Sequence, residues 1–318
     1  MILLLLVLYI INSSNSHISV PVVNIDAIFA EGPIKNNGNS KTTLICNEAK
    51  VNLIKNLIHI MSTIGICIIK LEGDVKIDEN TSFNAGKRLF STDTKFRKEC
   101  GLDMNGLRGY IARDFNNGRD SKEGYAYGNP HINESMLLDS LIRIPNVWPD
   151  GVDGKIIEAL ESQYIESNRI VEAIVQTLSS QDPIFQEYAV GGLRYSLMRL
   201  WKYNNSNDLK ASDIENAKNR DTLGSSPHTD WGFMTLIKSN NYGLQIFHDS
   251  TNIWIDVPHV PGSYTLIVGE YLSSLSNAFY KAPRHRVINN HLKMKDDSRL
   301  SFVFFYQFLL IEDLLMKD

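Results

Sequence analysis

The sequence predicts a mostly β fold with flanking helices, in which the β part forms a sandwich or a jelly roll. The second half consists of short β-like runs punctuated by Asn, Gly and Pro, whereas apolar residues in the first half recur at three- and four-residue steps. Seven strands are predicted, at residues 194–203, 233–238, 243–247, 252–257, 264–269, 284–289 and 300–307. Short strands at such close spacing are typical of a sandwich or jelly roll.

The first half is predicted to be mainly helical. Val51, Ile54, Leu57 and Met61 form an apolar stripe along one helical face. The other predicted elements are a β-rich opening at 20–26, a loop at 31–41, a buried strand at 64–71, a helix at 83–100, a loop or irregular strands at 106–130, and one long or two abutting helices at 153–180. Because the sequence has no internal repeat and no Gly/Ser linker, we expect the two halves to pack together.

The chain is divided here into a leader at 1–16, an N-terminal region at 17–130, a helical connection at 131–192 and a β-rich core at 193–309. Residues 2–11 are an unbroken apolar run, which is too short to span a bilayer but matches the apolar core of a secretory signal. The alternative is that this stretch does not belong to the mature protein.

Composition argues against several functional classes. The 318 residues are 43% hydrophobic and 21% charged, with a formal net charge of -4, as in ordinary globular proteins. Basic residues are scattered, so nothing favours nucleic acid as a partner. Cys46, Cys67 and Cys100 lie far apart and form no C-x-x-C motif, so neither a disulfide framework nor a cysteine zinc site is indicated.

His228-Thr229-Asp230 carries the first part of a metal-site pattern. Pro227 and Gly232 bracket a short extended segment, and residues two apart on a strand point to the same face. His228 and Asp230 can therefore share one ion. Two imidazoles and one carboxylate form the facial triad that holds non-haem Fe(II) with open positions.

His285 is the predicted third ligand because it lies inside a plausible strand, Arg284-His285-Arg286-Val287-Ile288. A jelly roll makes neighbours of strands that are distant in sequence. The competing pair is His248-Asp249, but adjacent strand residues point to opposite faces and chelate poorly.

Arg299 and Ser301 repeat the two-apart spacing and place a guanidinium and a hydroxyl on one face. A planar fork of donors suits a carboxylate, and a hydroxyl can complete the contact. The apolar flanks, which include Leu300, Phe302 and Phe304, predict a buried strand, where an unpaired arginine would be costly. A bound anionic co-substrate would satisfy Arg299.

With these motifs, the chain resembles the isopenicillin-N-synthase-like branch of the Fe(II)/2-oxoglutarate-dependent oxygenases, in order and over nearly its whole length. The matching segments are Val20-Pro21-Val22-Val23, Lys122-Glu123-Gly124-Tyr125, Leu200-Trp201-Lys202-Tyr203, His228-Thr229-Asp230-Trp231-Gly232, Gly243-Leu244-Gln245, Trp254-Ile255-Asp256-Val257-Pro258, Ser276-Asn277-Ala278-Phe279-Tyr280-Lys281, His285-Arg286-Val287 and Arg299-Leu300-Ser301.

The resemblance implies a double-stranded β-helix core with a helical N-terminal region. It implies that His228, Asp230 and His285 hold Fe(II), that Arg299 and Ser301 bind 2-oxoglutarate, and that Tyr203 is a further co-substrate contact. The implied enzyme consumes O2, releases succinate and CO2, and oxidises a small organic substrate, with ascorbate as an optional addition. The resemblance also implies a cytoplasmic monomer without nucleic acid or an integral membrane span; the secretory pathway is the alternative if residues 1–16 act as a signal.

Three departures from the family pattern are visible. Trp201 and Asn204 replace the Asn and Pro of the Asn-x-Tyr-Pro motif, which weakens the role expected of Tyr203, and Glu270 replaces the usual Asp after Gly269. Residues 308–318 are shorter than the loop and helix that the family carries there, which bears on a substrate lid. Two alternatives stay open: a same-fold iron oxidase that does not use 2-oxoglutarate, and an inactive metal-binding or scaffold homologue.

Overall fold

The computed structural model describes residues 19–29, 40–72, 79–93, 99–102, 107–112, 120, 122–131, 145–188, 196–204, 223–288 and 298–307. The helices are α1 Asp26–Phe29, α2 Ser40–Thr63, α3 Glu79–Phe90, α4 Gly154–Ser179, α5 Pro183–Tyr188 and α6 Glu270–Leu275. The strands are β1 Val22–Asn24, β2 Ile66–Lys70, β3 Gly109–Ile111, β4 Lys122–Tyr127, β5 Leu197–Asn204, β6 Leu223–His228, β7 Met234–Ser239, β8 Leu244–His248, β9 Ile253–Asp256, β10 Tyr264–Val268, β11 His285–Ile288 and β12 Ser298–Tyr306.

The strands form two sheets. The larger has eight strands in the order β1-β2-β10-β7-β12-β5-β4-β3, and the smaller has four in the order β6-β11-β8-β9. All pairings are antiparallel except that of β1 with β2. The expected mostly β fold with a double-stranded β-helix core and flanking helices is confirmed.

β12 shows how the sequence assigns the two faces of the large sheet. Successive strand residues point to opposite faces. Phe302 and Phe304 pack on the helical layer, where Phe83 of α3 lies 5.4 Å from Phe302 and Tyr164 of α4 lies 5.1 Å from Phe304 between ring centroids. Arg299, Ser301 and the other alternate residues of the strand therefore face the opposite side, towards the small sheet.

Several boundaries differ from the sequence prediction. The helix expected at 83–100 begins at Glu79 and ends at Phe90. It ends there because Ser91 and Thr92 bond their hydroxyls to the carbonyls of Lys87 and Leu89, which competes with continuing the helix. The segment 153–180 contains one helix, α4, rather than two, and the segment 106–130 contains the short strands β3 and β4.

Strand β6, at Leu223–His228, was missed as a full strand, since the sequence predicted only a short extended segment between Pro227 and Gly232. Strands from before residue 130 and after residue 193 share the large sheet. The division at 17–130, 131–192 and 193–309 stays a prediction. The leader at 1–16 and the segment 308–318 lie outside the described residues.

Two further sequence expectations concern thiols and membranes. Cys67 and Cys100 are free, and burial raises the pKa of the Cys67 thiol to about 12, which leaves it inert at neutral pH. Among the helices of the described part of the chain, none is long and apolar enough to cross a membrane.

A buried polar network joins the helices to the large sheet. Gln163 of α4 accepts hydrogen bonds from Ser82 of α3 at 3.0 Å and from Lys238 of β7 at 3.1 Å. Its amide nitrogen lies 3.2 Å from the hydroxyl of Tyr264 on β10. Lys238 also lies 3.5 Å from the carboxylate of Glu166, and both side chains are almost fully buried. The network fixes α4 against α3 and against β7 and β10 of the large sheet.

We expect Lys238→Met to lower the free energy of unfolding by about 3–5 kcal/mol, because it leaves the Glu166 charge buried without its cation. Urea unfolding followed by fluorescence measures the change. Lys55→Met, on the exposed face of α2, is the matched control and should change stability by less than about 0.5 kcal/mol. Adding Glu166→Gln to Lys238→Met should restore part of the loss; a double variant no more stable than the single one would contradict the explanation.

Candidate active site

A cavity of about 480 Å³, including its mouth, lies between the two sheets. All six residues singled out in the sequence line it: His228, Asp230, His285, Arg299, Ser301 and Tyr203. Its walls also include aliphatic and aromatic side chains such as Val303 and Phe305. A concave site in which polar groups converge among apolar walls is the usual form of a small-molecule site.

The two histidines meet because β6 and β11 are neighbours. His228 is the last residue of β6, His285 is the first of β11, and the antiparallel register places them directly opposite each other. Their ring centroids are 4.4 Å apart. The third predicted residue, Asp230, lies just past the end of β6, with a carboxylate oxygen 3.7 Å from His228 Nε2 and 3.5 Å from His285 Nε2.

The turn that carries Asp230 is fixed by the start of α6. The backbone N–H of Glu270 donates to the Asp230 carbonyl at 2.7 Å, and the Thr229 hydroxyl donates to the Glu270 carboxylate. Gly269 makes this approach possible, since a Cβ there would lie 1.8 Å from the Gly232 carbonyl oxygen. Glu270 thus supports the metal-site turn from outside.

Both imidazoles are oriented by backbone carbonyls. His228 Nδ1 lies 2.7 Å from the carbonyl of Ser226, and His285 Nδ1 lies 3.1 Å from that of Pro283. A carbonyl can only accept, so each Nδ1 carries the proton and each neutral ring presents the Nε2 lone pair to Asp230 and to any bound ion.

The protonation states suit a cation. Desolvation within the cavity and the neighbouring His285 lower the pKa of His228, which keeps this ring neutral at neutral pH. Burial opposes ionisation of Asp230, but the two histidines outweigh it and hold the pKa of the carboxyl below its usual value. Burial likewise opposes protonation of His285, yet Asp230 raises the pKa of its ring. Asp230 is thus ionised and His228 neutral, which are the forms that bind a metal ion.

The donor set fits a divalent metal. One ligand atom from each of His228, Asp230 and His285 lies within 4.8 Å of the others. The second carboxylate oxygen of Asp230 is buried and has no hydrogen-bond partner among the described residues. Two imidazoles and one carboxylate with open positions are the ligand set typical of non-haem Fe(II).

Arg299 and Ser301 form a second polar group deeper in the cavity. Both are buried, at 1% and 0% exposure, and Arg299 lies directly opposite Tyr203 across the β12–β5 pair, with its guanidinium carbon 4.8 Å from the Tyr203 ring centroid. Arg299 Nε donates to the Asn241 carbonyl at 3.3 Å. Arg299 Nη1 and the Ser301 hydroxyl have no hydrogen-bond partner in the described part of the structure. Both groups are hydrogen-bond donors that are placed to bind a carboxylate.

Sequence reasoning missed Arg199 and Lys122, which also line the cavity. Lys122 Nζ lies 3.1 Å from the Asp120 carboxylate and 2.9 Å from the Ser225 hydroxyl. The signal for Arg199 was present, because it precedes Tyr203 by four residues on β5 and thus shares the face of that residue.

Other candidates lie elsewhere. Tyr110, Tyr125 and Tyr127 are buried in the core cluster beneath the helices and do not line the cavity. His248 bonds through Nδ1 to the Thr251 hydroxyl in the turn after β8, at 2.9 Å. Trp201, the departure from the family motif, lies in the cavity wall under the Lys122 ammonium at 4.5 Å.

The fold and the site define a double-stranded β-helix with a two-histidine, one-carboxylate cluster in its cavity. Comparison with known proteins agrees: residues 193–308 match the family model of the 2OG-Fe(II) oxygenase superfamily. Residues 193–308 are thus similar to this superfamily. Its members use Fe(II), 2-oxoglutarate and O2.

Two curated relatives illustrate the similarity. The chain is 29% identical over 224 residues to the chloroplastic 2-oxoglutarate-dependent dioxygenase 21 of Oryza sativa, which covers 70% of this chain and 61% of that protein. It is 28% identical over 258 residues to clavatol oxidase of Penicillium crustosum, covering 72% and 71%. The chain thus spans less than two thirds of the rice relative.

Solved structures share the fold. A 2OG-Fe(II) oxygenase family protein from Caulobacter crescentus superposes with a TM-score of 0.67 at 17% identity, covering 91% of this chain and 86% of that one. Dioxygenase for auxin oxidation 1 from Arabidopsis thaliana, a 2-oxoglutarate complex, gives a TM-score of 0.62 at 16% identity, covering 92% and 93%.

Proposed function

We propose that this chain is an Fe(II)- and 2-oxoglutarate-dependent oxygenase that oxidises a small organic substrate with release of succinate and CO2. The observation that carries the proposal is that one cavity holds both the His228, Asp230 and His285 cluster and the buried Arg299 and Ser301 pair. The first group suits the metal and the second suits the far carboxylate of the co-substrate.

In this proposal His228, Asp230 and His285 are the metal ligands. Bound Fe(II) would supply the open positions at which O2 and 2-oxoglutarate meet and at which O2 is reduced. The carbonyls of Ser226 and Pro283 hold the two imidazoles in the tautomer that binds metal. Glu270 and Gly269 hold the Asp230 turn, so the three ligands are positioned before the metal binds.

Arg299 and Ser301 would hold the distal carboxylate of 2-oxoglutarate, with Tyr203 against the guanidinium. Burial lowers the pKa of Arg299 and Tyr203 partly counters this, so the cation gains most from an anion placed beside it. Val303, Phe305 and Trp201 line the same cavity and exclude water from the reacting groups.

We further propose that the protein acts as a cytoplasmic monomer, without nucleic acid as a partner. The free thiols of Cys67 and Cys100 support a reducing compartment. The alternative is the secretory pathway if residues 1–16 are a signal peptide. Cell fractionation of the tagged chain distinguishes the two compartments, and light scattering of the purified protein gives the oligomeric state.

The function is tested by anaerobic addition of Fe(II) and then 2-oxoglutarate to the full chain. We expect a metal-to-ligand charge-transfer band, followed by succinate release when O2 and substrate are admitted, with and without ascorbate. Absence of the band from the folded protein would reject the proposal. A band without O2-dependent succinate would identify a non-catalytic homologue, and O2 consumption with an oxidised product but no succinate would identify a same-fold oxidase.

A further inference from the structure

The cavity contains a second arginine that neither the metal cluster nor the co-substrate group uses. Arg199 lies on β5, paired with Ala126 of β4 and Val303 of β12, and it lines the cavity with Trp201 and Tyr203. It is four residues from Tyr203, the residue opposite Arg299. At a strand rise of about 3.3 Å per residue, the backbones of these two positions are roughly 13 Å apart. The two arginines can therefore serve different ligands.

Arg199 has no polar partner within the described ranges. Its Nε atom is buried and makes no hydrogen bond. The guanidinium carbon lies 5.9 Å from the ring centroid of Trp201 and 5.5 Å from that of Phe305, so aromatic rings flank the group. Lys122, which also lines the cavity, is already paired with Asp120 at 3.1 Å.

With Fe(II) and 2-oxoglutarate bound, the cavity would lack an anion to balance the charge of Arg199. The charges of Fe(II) and Arg299 would be balanced by Asp230 and by the two carboxylates of 2-oxoglutarate, and Lys122 is balanced by Asp120. Arg199 would then be a largely buried cation without an anion, which is unfavourable for a charge removed from water. Burial lowers the pKa of its guanidinium, and the charge of Asp230 only partly counters this.

We propose that Arg199 binds a carboxylate of the primary substrate, so that the substrate is a small organic acid. A guanidinium offers two parallel N–H donors to a carboxylate, and the flanking rings of Trp201 and Phe305 fix the plane of that fork. This inference rests on the proposed function, because it assumes that Fe(II) and 2-oxoglutarate fill the other part of the cavity.

The test uses the full chain loaded anaerobically with Fe(II) and 2-oxoglutarate. A broad panel of aliphatic and aromatic carboxylic acids is compared with the matching primary amides, for example phenylacetate with phenylacetamide. Binding is measured by the shift in thermal midpoint and by perturbation of the charge-transfer band. We expect acids to bind in preference to their amides, and Arg199→Met to weaken acid binding by about 10- to 100-fold while amide binding is unchanged.

Two further variants sharpen the result. Arg199→Lys should keep part of the acid preference, because it keeps the charge but loses the fork. Arg286→Met is the matched control, since Arg286 lies on the opposite face of β11 from His285 and bonds Gln245 at 2.8 Å; it should bind acids like the wild type. An intact charge-transfer band in Arg199→Met shows that the variant is folded.

The inference is overturned if no acid binds better than its amide, or if Arg199→Met keeps the preference. It is also overturned if Arg199→Met lowers the affinity for 2-oxoglutarate, because that result would assign Arg199 to the co-substrate. Failure of the proposed function is distinguishable, because then the wild type forms no charge-transfer band at all.

Discussion

Replacing His228 with alanine should abolish the charge-transfer band formed with Fe(II) and 2-oxoglutarate and, with it, succinate release. His228 supplies one of the three ligand atoms that cluster within 4.8 Å. Loss of groups that merely orient a ligand typically costs 10- to 100-fold in metal affinity or activity, so loss of a ligand itself should cost more than about 100-fold. Anaerobic Fe(II) titration followed by absorbance measures the effect.

The His228 variant is a fair test because the fold should tolerate it. The His228 side chain is 44% exposed and stands at the end of β6, so its removal leaves no large buried void. His248→Ala is the matched control, since His248 also ends a strand of the small sheet and bonds only its own turn. An undiminished band in His228→Ala, or an equal loss in His248→Ala, would exclude His228 as a ligand.

Arg299→Leu should raise the Kd for 2-oxoglutarate while Fe(II) binding is largely kept. Truncating one partner of a buried, hydrogen-bonded charge pair costs about 2–5 kcal/mol, which is at least about 30-fold in Kd. Isothermal titration with Fe(II) present gives both affinities. Ser301→Ala should have a smaller effect in the same direction, because it removes a neutral hydroxyl.

The same variant has a second readout, the stability of the protein without co-substrate. Arg299 is 1% exposed and its Nη1 has no partner among the described residues, so leucine should leave the free energy of unfolding unchanged or raise it. Arg286→Leu, on the outer face of β11, is the control and should leave 2-oxoglutarate affinity unchanged. Unchanged affinity in Arg299→Leu would refute the assignment.

The spacing of apolar residues correctly predicted which side chains face the core where one face of a strand or helix is apolar. The alternation along β12 separates Phe302 and Phe304, which pack under the helices, from Arg299 and Ser301 in the cavity. The end of α3 was missed because the hydroxyls of Ser91 and Thr92 bond carbonyls of the last helical turn, which the spacing of apolar residues does not predict.

For Arg199, the spacing of residues predicts only part of what the structure shows. Its position on the cavity face could be read from its spacing to Tyr203, but its lack of a polar partner could not. An arginine on a strand commonly pairs with an acid from another element. Whether such an acid is nearby depends on which strands become neighbours.

The sequence by itself determined the donor types and their two-residue spacing, which places Arg299 and Ser301 on one face of β12, because side-chain alternation is a property of each strand alone. Asp230 lies past the end of β6, so its direction depends on the turn that Glu270 holds. Only the tertiary structure decided that β6 lies beside β11, which brings His285 opposite His228, and that β12 and β5 place Arg299 and Arg199 in one cavity. Strand neighbours distant in sequence are chosen by packing of the whole core, which no local pattern contains.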